Sequence, residues 1–421
     1  MIDTGNDKVR RLLAQGVVIH CPQTVHVDDS LDPGRIAPGA VIHAGCRLRG
    51  AGISIGPASV IGEEAPATVD DCQLGRGVSL KGGYFSGSTF LDGSSVGSSA
   101  HVRPGTLLEE GATAAHSVGF KQTILFPFVT AGSLINLCDC LVSGGTGRAD
   151  HSEVGSSYIH FNFTPHQDKA TASLLGDVPR GVMLDRPPIF LGGQGGLVGP
   201  ARLAFGTVVA AGVICRQDIL EEGRLFAGRT AAGGGTRVYA NGVYVGIERL
   251  VANNLHYIGN IRALQAWYRV ARKPLVNGLP YEEACHAGAT ARLALIFEER
   301  VARLGEVAAR MAAVLTEAGA GKRLSLEAAV VRSYQELIDS WPAIEARLRG
   351  GIPDAIGASE RETFLTEWGK VPSLTPYPEA VASLSPAGRA AGSAWLQAVV
   401  DEVAVAAAEI YSRRRGRAIG T

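Results

Sequence analysis

Net charge is the first thing this chain lacks. Its 40 Lys and Arg residues balance 40 Asp and Glu, so no bulk field draws it to nucleic acid or to a membrane surface. No apolar run reaches the roughly eighteen residues of a membrane span. No leader is expected, since Met1–Arg11 is polar and charged. Seven cysteines occur without a CxxC pair. Cys138 and Cys140, two apart, fit buried small side chains better than a metal site. A reducing cytoplasm suits this usage. The run GGQGG at 192–196 has no strand–GxGxxG–helix setting, so it reads as a tight turn rather than a phosphate cradle.

What is abundant is glycine, 54 of 421 residues. Most of it precedes residue 250, as a turn every few residues requires. Over the same stretch the apolar residues count in sixes: Val96, Val102, Leu108, Ala114, Phe120 and Phe126, with Ile36, Ile42 and Leu48 upstream and Val198, Ala204 and Ala210 downstream. A six-residue period fits neither a helix nor an ordinary strand. It fits a triangular coil of three short strands and three turns, about eighteen residues per coil, stacked into a parallel β-helix. Residues 1–16 read as a short helix and linker, 17–246 as the β-helix and 247–421 as an α-helical C-terminal domain. In that last part, 248–272, 281–317, 325–349 and 387–416 carry helical spacing, and Pro372–Pro386 reads as a loop. The middle of the β-helix, roughly 141–196, is irregular and is expected to hold loops that leave the coil.

Eighteen residues per coil turns spacing into geometry. Arg103, Lys121 and Asp139 then form one outward column. Two cations about 4.8 Å apart repel unless an anion lies between them. They hold either a ligand anion or a solvated column with Asp139 as counter-ion. Close by, His151, His160 and His166 crowd a short stretch, and neutral His is the commonest general base near pH 7. Their spacings of nine and six give no shared ligand direction for zinc, so no metal is expected.

At these residues the chain resembles the acetyltransferase half of the bifunctional N-acetylglucosamine-1-phosphate uridyltransferase / glucosamine-1-phosphate acetyltransferase. LLAQGVVIHCPQTVHVD, from Leu12, is similar to that family's entry into its β-helix. HVRPGTLLEEGATAAHSVGFK places Arg103 and Lys121 on the family's two sugar-phosphate contacts. AGSLINLCD, 131–139, resembles AGHLTYLGD, and HFNF, 160–163, resembles a strand ending in Asn-Tyr. ICRQDILEEGRLFAGR resembles the last coil. The resemblance implies a left-handed β-helix, a homotrimer with sites between adjacent copies, and an acyl-CoA co-substrate. It implies substrate contacts from Arg103, Lys121, Asn136, Asp139 and Lys169, and acyl-CoA contacts from Asn162, Phe163 and Arg229.

The chain also departs from that family. The catalytic histidine falls on Ser133, the sugar-contacting tyrosine on Asn136 and the Asn-Tyr tyrosine on Phe163. About six residues are inserted between Asp139 and Gly155, carrying Arg148, Asp150 and His151. Nothing similar to the uridyltransferase domain precedes Leu12. A Ser cannot act as a base at neutral pH, so His151, one nominal coil beyond Ser133, or His160 is the candidate base, with Asp150 or Asp168 to fix its tautomer. Two functions stay open: an acyltransferase acting on an amino-sugar phosphate or a nucleotide sugar such as UDP-N-acetylglucosamine, and a non-catalytic sensor of the same ligands. A scaffold worked by the helical domain is a third.

Overall fold

The computed structural model describes residues 7–164, 168–228, 244, 246–319 and 328–417. Helix α1 (Asp7–Ala14) ends where Gly16 turns the chain with φ of +88°, and the chain enters the first strand at Val18–Ile19. The strands that follow build three parallel sheets of eleven, ten and eight strands. Each strand pairs with the strand one coil away, so the three sheets are the three faces of one β-helix. Inward residues such as Leu48, Val69, Phe85, Val102, Phe120 and Leu137 fill its interior. The fold class is thus the expected one, a parallel β-helix followed by an α-helical region.

The coil length varies. Ser95 pairs with Thr113 at the nominal eighteen residues. Thr113 pairs with Thr130 at seventeen, and Ser79 with Ser95 at sixteen. The reason lies in the corners. The lower coil turns through Pro104, Gly105 and Thr106 between Arg103 and Leu107, while the next turns through Gln122 and Thr123 alone. Gln122, at φ +48°, makes that tighter corner. After it the inward residues shift phase to Leu125, Ala131 and Leu137. A similar correction applies downstream. The buried set there is Leu197, Leu203, Val209 and Cys215, one residue before the expected Val198, Ala204 and Ala210.

The irregular middle leaves the coil at its corners and rejoins it. A hairpin, Gly145–Gly147 with Asp150–His151, projects between the third and first faces. Helix α2 (Val178–Gly181) caps a second excursion, so Glu153 pairs with Phe190, thirty-seven residues on. GGQGG is the tight turn expected: a side chain on Gly192 would overlap the backbone of Ala210 and Ala211 in the next coil.

The helical region comprises α3 (Ile247–Trp267), α4 (Pro280–Gly319), α5 (Ala328–Arg349), α6 (Ala358–Trp368), α7 (Tyr377–Ala382) and α8 (Pro386–Arg417). Helix α7 lies in the stretch read as a loop. Six residues are too few to show a helical period, and its Tyr377 and Val381 are buried by partners remote in sequence. Trp267, Phe364, Trp368 and Trp395 form the core of this region. Helix α4 lies on the third face of the β-helix, and two buried arginines, Arg272 just after α3 and Arg300 on α4, tie the helical region to the coils. Arg272 reaches Glu110 at 2.6 and 3.0 Å and Glu109 at 3.0 Å, with its guanidinium 3.6 Å from the Tyr377 ring centroid. Arg300 on α4 donates to Gln122 Oε1 at 2.7 Å and lies 3.1 Å from the Asp139 carboxylate.

Removing one partner of a buried pair strands the other charge, which costs roughly 3–5 kcal/mol. Arg300→Met should therefore lower the thermal unfolding midpoint clearly, and the double variant Arg300→Met/Asp139→Leu should recover most of the loss. Equal midpoints for the parent and the single variant would show that the pair carries no stability.

Candidate functional site

The second face carries the predicted column, with one change. His101 pairs with Gly119 and Val102 with Phe120, which sets Arg103 on Lys121. The next coil is seventeen residues long, so Lys121 pairs with Cys138 and not with Asp139. Asp139 is instead the corner residue, at φ +59°, buried and facing Arg300. Burial raises its carboxyl above the usual range, and Arg300 only partly offsets this. One of its oxygens is close to Arg300 but poorly aligned for a hydrogen bond.

The two cations therefore stand one above the other with no direct ion pair to Asp139, whose charge, with that of Glu299, acts on Lys121 only at longer range. Among the described residues neither Arg103 nor Lys121 lies within ion-pair distance of a carboxylate. Arg103 Nη2 does contact Cys138 Sγ at 3.4 Å. That sulfur remains a thiol, because burial first and Asp139 second push it above its ordinary range, against the pull of both cations. Lys169 comes to the same corner through its backbone, its carbonyl accepting from Arg300 Nη1 at 3.3 Å while its side chain is exposed. Arg103, Lys121 and Lys169 are thus brought to one edge, with Arg300 behind it.

Beside that edge is a gap. Gly119 points outward where a side chain would meet only Asn136, at ordinary contact distance of 3.7 Å. Its φ is not in the left-handed region, so the backbone does not demand glycine there. Its effect is room: an open floor with Asn136 above and His101 below. Asn136 is exposed, as a ligand contact requires.

The histidines land elsewhere than expected. His160 lies inside the coil, because the strand Ile159–Phe161 alternates and its middle residue faces inward. Its Nε2 meets Ser173 Oγ at 2.8 Å, and burial pushes its pKa down to about 4. His151 is on the hairpin at the third-to-first corner, its Nδ1 2.9 Å from the Arg148 carbonyl. It does not stack on Ser133, because the coil is twenty-three residues long there: Ala131 pairs with Val154, which brings Ser156 over Ser133. Asp150 accepts from Thr146 and Asp168 from the Ala170 N–H, and neither bonds a histidine among the described residues. Asn162 is exposed and its Oδ1 accepts from Thr171 at 3.0 Å. Phe163 is 69% exposed. Arg229 and His166 lie outside the described residues.

The sequence reading missed two residues here, His116 and Arg300. His116 Nδ1 lies 3.1 Å from Ser133 Oγ. An eighteen-residue count puts Ala115 under Ser133; the seventeen-residue coil puts His116 there. Arg300 gave no signal, since its run of Glu and Arg fits a solvated helix face equally well.

No family model matches the chain. Over 222 residues it is 28% identical to the bifunctional protein GlmU of Nitratidesulfovibrio vulgaris, covering 49% of this chain and 40% of that protein. Over 223 residues it is 28% identical to the bifunctional protein GlmU of Pseudomonas entomophila, covering 52% of this chain and 43% of that one. The chain thus spans about two fifths of the length of the curated relatives it matches. Among solved structures, LpxA from Acinetobacter baumannii covers 48% of this chain and 68% of its own at 14% identity, with a TM-score of 0.18 that carries no argument. The resemblance to the acetyltransferase domain of GlmU, carried by the motifs above, is therefore found by direct comparison over half the chain.

Buried His160 makes a pH prediction. Its folded pKa is depressed from 6.5 to about 4, so neutrality stabilises the fold above 6.5, and this is lost as pH falls through that window. The share is on the order of 3 kcal/mol. His160→Gln should flatten the fall in stability on going from neutral pH into this window, measured by urea unfolding. An unchanged pH slope would contradict the interior placement.

Proposed function

We propose that the chain is a hexapeptide-repeat acyltransferase. It transfers an acyl group from acyl-CoA to the amine of an amino-sugar phosphate or nucleotide amino sugar, as a homotrimer with a left-handed coil. The observation that carries this is the Arg103–Lys121 pair, outward, stacked, and in no direct ion pair with a carboxylate among the described residues, beside the floor at Gly119. Both side chains donate charge-assisted hydrogen bonds that suit a phosphate, and Lys169 adds a third cation at the same edge. The floor suits a sugar ring, with Asn136 as a polar contact. Asn162, Phe163 and Arg229 are assigned to the acyl-CoA on the strength of the resemblance, and Asp139 is reassigned to holding the corner. The similarity to GlmU supports the same reading.

A trimer is supported by an apolar stripe on the first face. Phe190, Val208 and Leu225 follow one another up the ladder and are all exposed. Sedimentation should report a species of three times the chain mass; a monomer would contradict it.

The sensor reading keeps one observation in its favour, the Ser133 in place of the family's histidine. Calorimetry separates the two. With glucosamine 1-phosphate as titrant, Arg103→Ala and Lys121→Ala should each weaken binding by about tenfold or more, the scale of a lost charged hydrogen bond. Acetyl-CoA should also bind. Sugar-phosphate binding without acetyl-CoA binding would favour a sensor, and unchanged affinity in both variants would overturn the site.

A further inference from the structure

We propose that His116, aimed by Ser133, is the catalytic base of this site; the inference rests on the acyl-transfer reading above. His116 and Ser133 stack at the corner between the first and second faces, because Ala114 pairs with Ala131 just before them. Of the chain's described histidines near the binding face, His116 has its ring oriented by a hydrogen bond to a side chain in the next coil. His101, below Gly119, stands against the Tyr84 ring at 5.3 Å and shows no such bond. His160 is inside the coil and His151 is at another corner.

The support under His116 is rigid. The Ser133 N–H donates to Ser156 Oγ at 3.2 Å, and its carbonyl accepts from the Ser157 N–H at 2.8 Å. Its hydroxyl is therefore presented to His116 from a backbone fixed by the coil above. With Ser133 Oγ accepting from Nδ1–H, Nε2 carries the lone pair, and among the described residues Nε2 makes no hydrogen bond. His116 is itself exposed. From that corner the chain crosses the second face through Gly119 to Lys121 at its far edge. The five residues from His116 to Lys121 span at most about 17 Å between Cα atoms. A sugar phosphate held by the two cations lies over the Gly119 floor, with its far end towards the corner.

The step is redox-neutral. The substrate amine nitrogen attacks the thioester carbonyl carbon of the acyl-CoA. The C–N bond forms, the amine proton passes to His116 Nε2 and the C–S bond breaks. The departing thiolate then takes the proton from the imidazolium, leaving an amide, a free thiol and neutral His116. Ser133 is a positioning residue: its hydroxyl holds the ring, accepting from Nδ1–H in the tautomer that leaves Nε2 free, and it does not touch the reacting atoms.

The test is thiol release from acetyl-CoA with glucosamine 1-phosphate, using the full chain, across the pH range in which imidazole titrates. His116→Ala and His116→Gln should both lower kcat by about a hundredfold or more, the scale of a lost general base, and abolish the acidic limb of the pH profile. Ser133→Ala should shift that limb with a smaller fall in kcat and little change in KM. An active His116→Gln with the parent pH profile would overturn the base alone, as would loss of the limb in His101→Ala but not in either His116 variant. No thiol release by the unaltered chain would overturn the acyl-transfer reading and the base with it.

Discussion

Hydrogen bonds between parallel strands decide which residue of one coil lies on which residue of the next. In this β-helix that register is the constraint on which the outward face depends. A strand displaced by one residue turns every side chain to the opposite side. The tight corner at Gln122 removes one residue from a coil. That single change puts Cys138 over Lys121, sends Asp139 to the corner and sets Ser133 on His116. The departure of Asp139 from the Arg103–Lys121 column and the Ser–His pair are two consequences of one corner.

The corner in turn depends on the helical region. Gln122 and Asp139 are stacked corner residues in successive coils, and both are buried by α4 through Arg300. A buried guanidinium is tolerable only with several acceptors, and Arg300 has a side-chain amide, a carboxylate and the Lys169 carbonyl. The same residue thereby fixes the loop that carries Lys169. Arg272, with Glu109 and Glu110, repeats the arrangement at the other edge of the third face, where it meets the first. The helical region thus works as a strut on the third face, at the back of the edge that presents Arg103, Lys121 and Lys169.

The β-helix was legible in the sequence because a six-residue period has few physical solutions, and Arg103 over Lys121 followed from it directly. The helical region was legible from composition, except α7, which is too short to show a period. Asp139, His151 and the stacking of His116 were misplaced or missed for one reason. Each depends on how many residues a corner holds, one fewer at Gln122 and a whole hairpin at His151, and turn residues such as Gln122 carry no strong mark of that choice. His160 was misjudged because the apolar alternation around it runs the wrong way: Ile159 and Phe163 are exposed and the polar His160 faces inward. Its inward direction is set by the ladder from Leu137 to Leu197 and not by its neighbours. Arg300 was invisible because burial by a distant surface leaves no local trace.

The most direct test of the binding face is the crystal structure of the chain grown with glucosamine 1-phosphate. The expected result is a phosphate between Arg103 and Lys121, with the sugar over Gly119 and its amine towards the His116–Ser133 corner. A phosphate seated instead in the cleft walled by Arg76, Arg272 and Tyr377, or a sugar turned away from that corner, would contradict it.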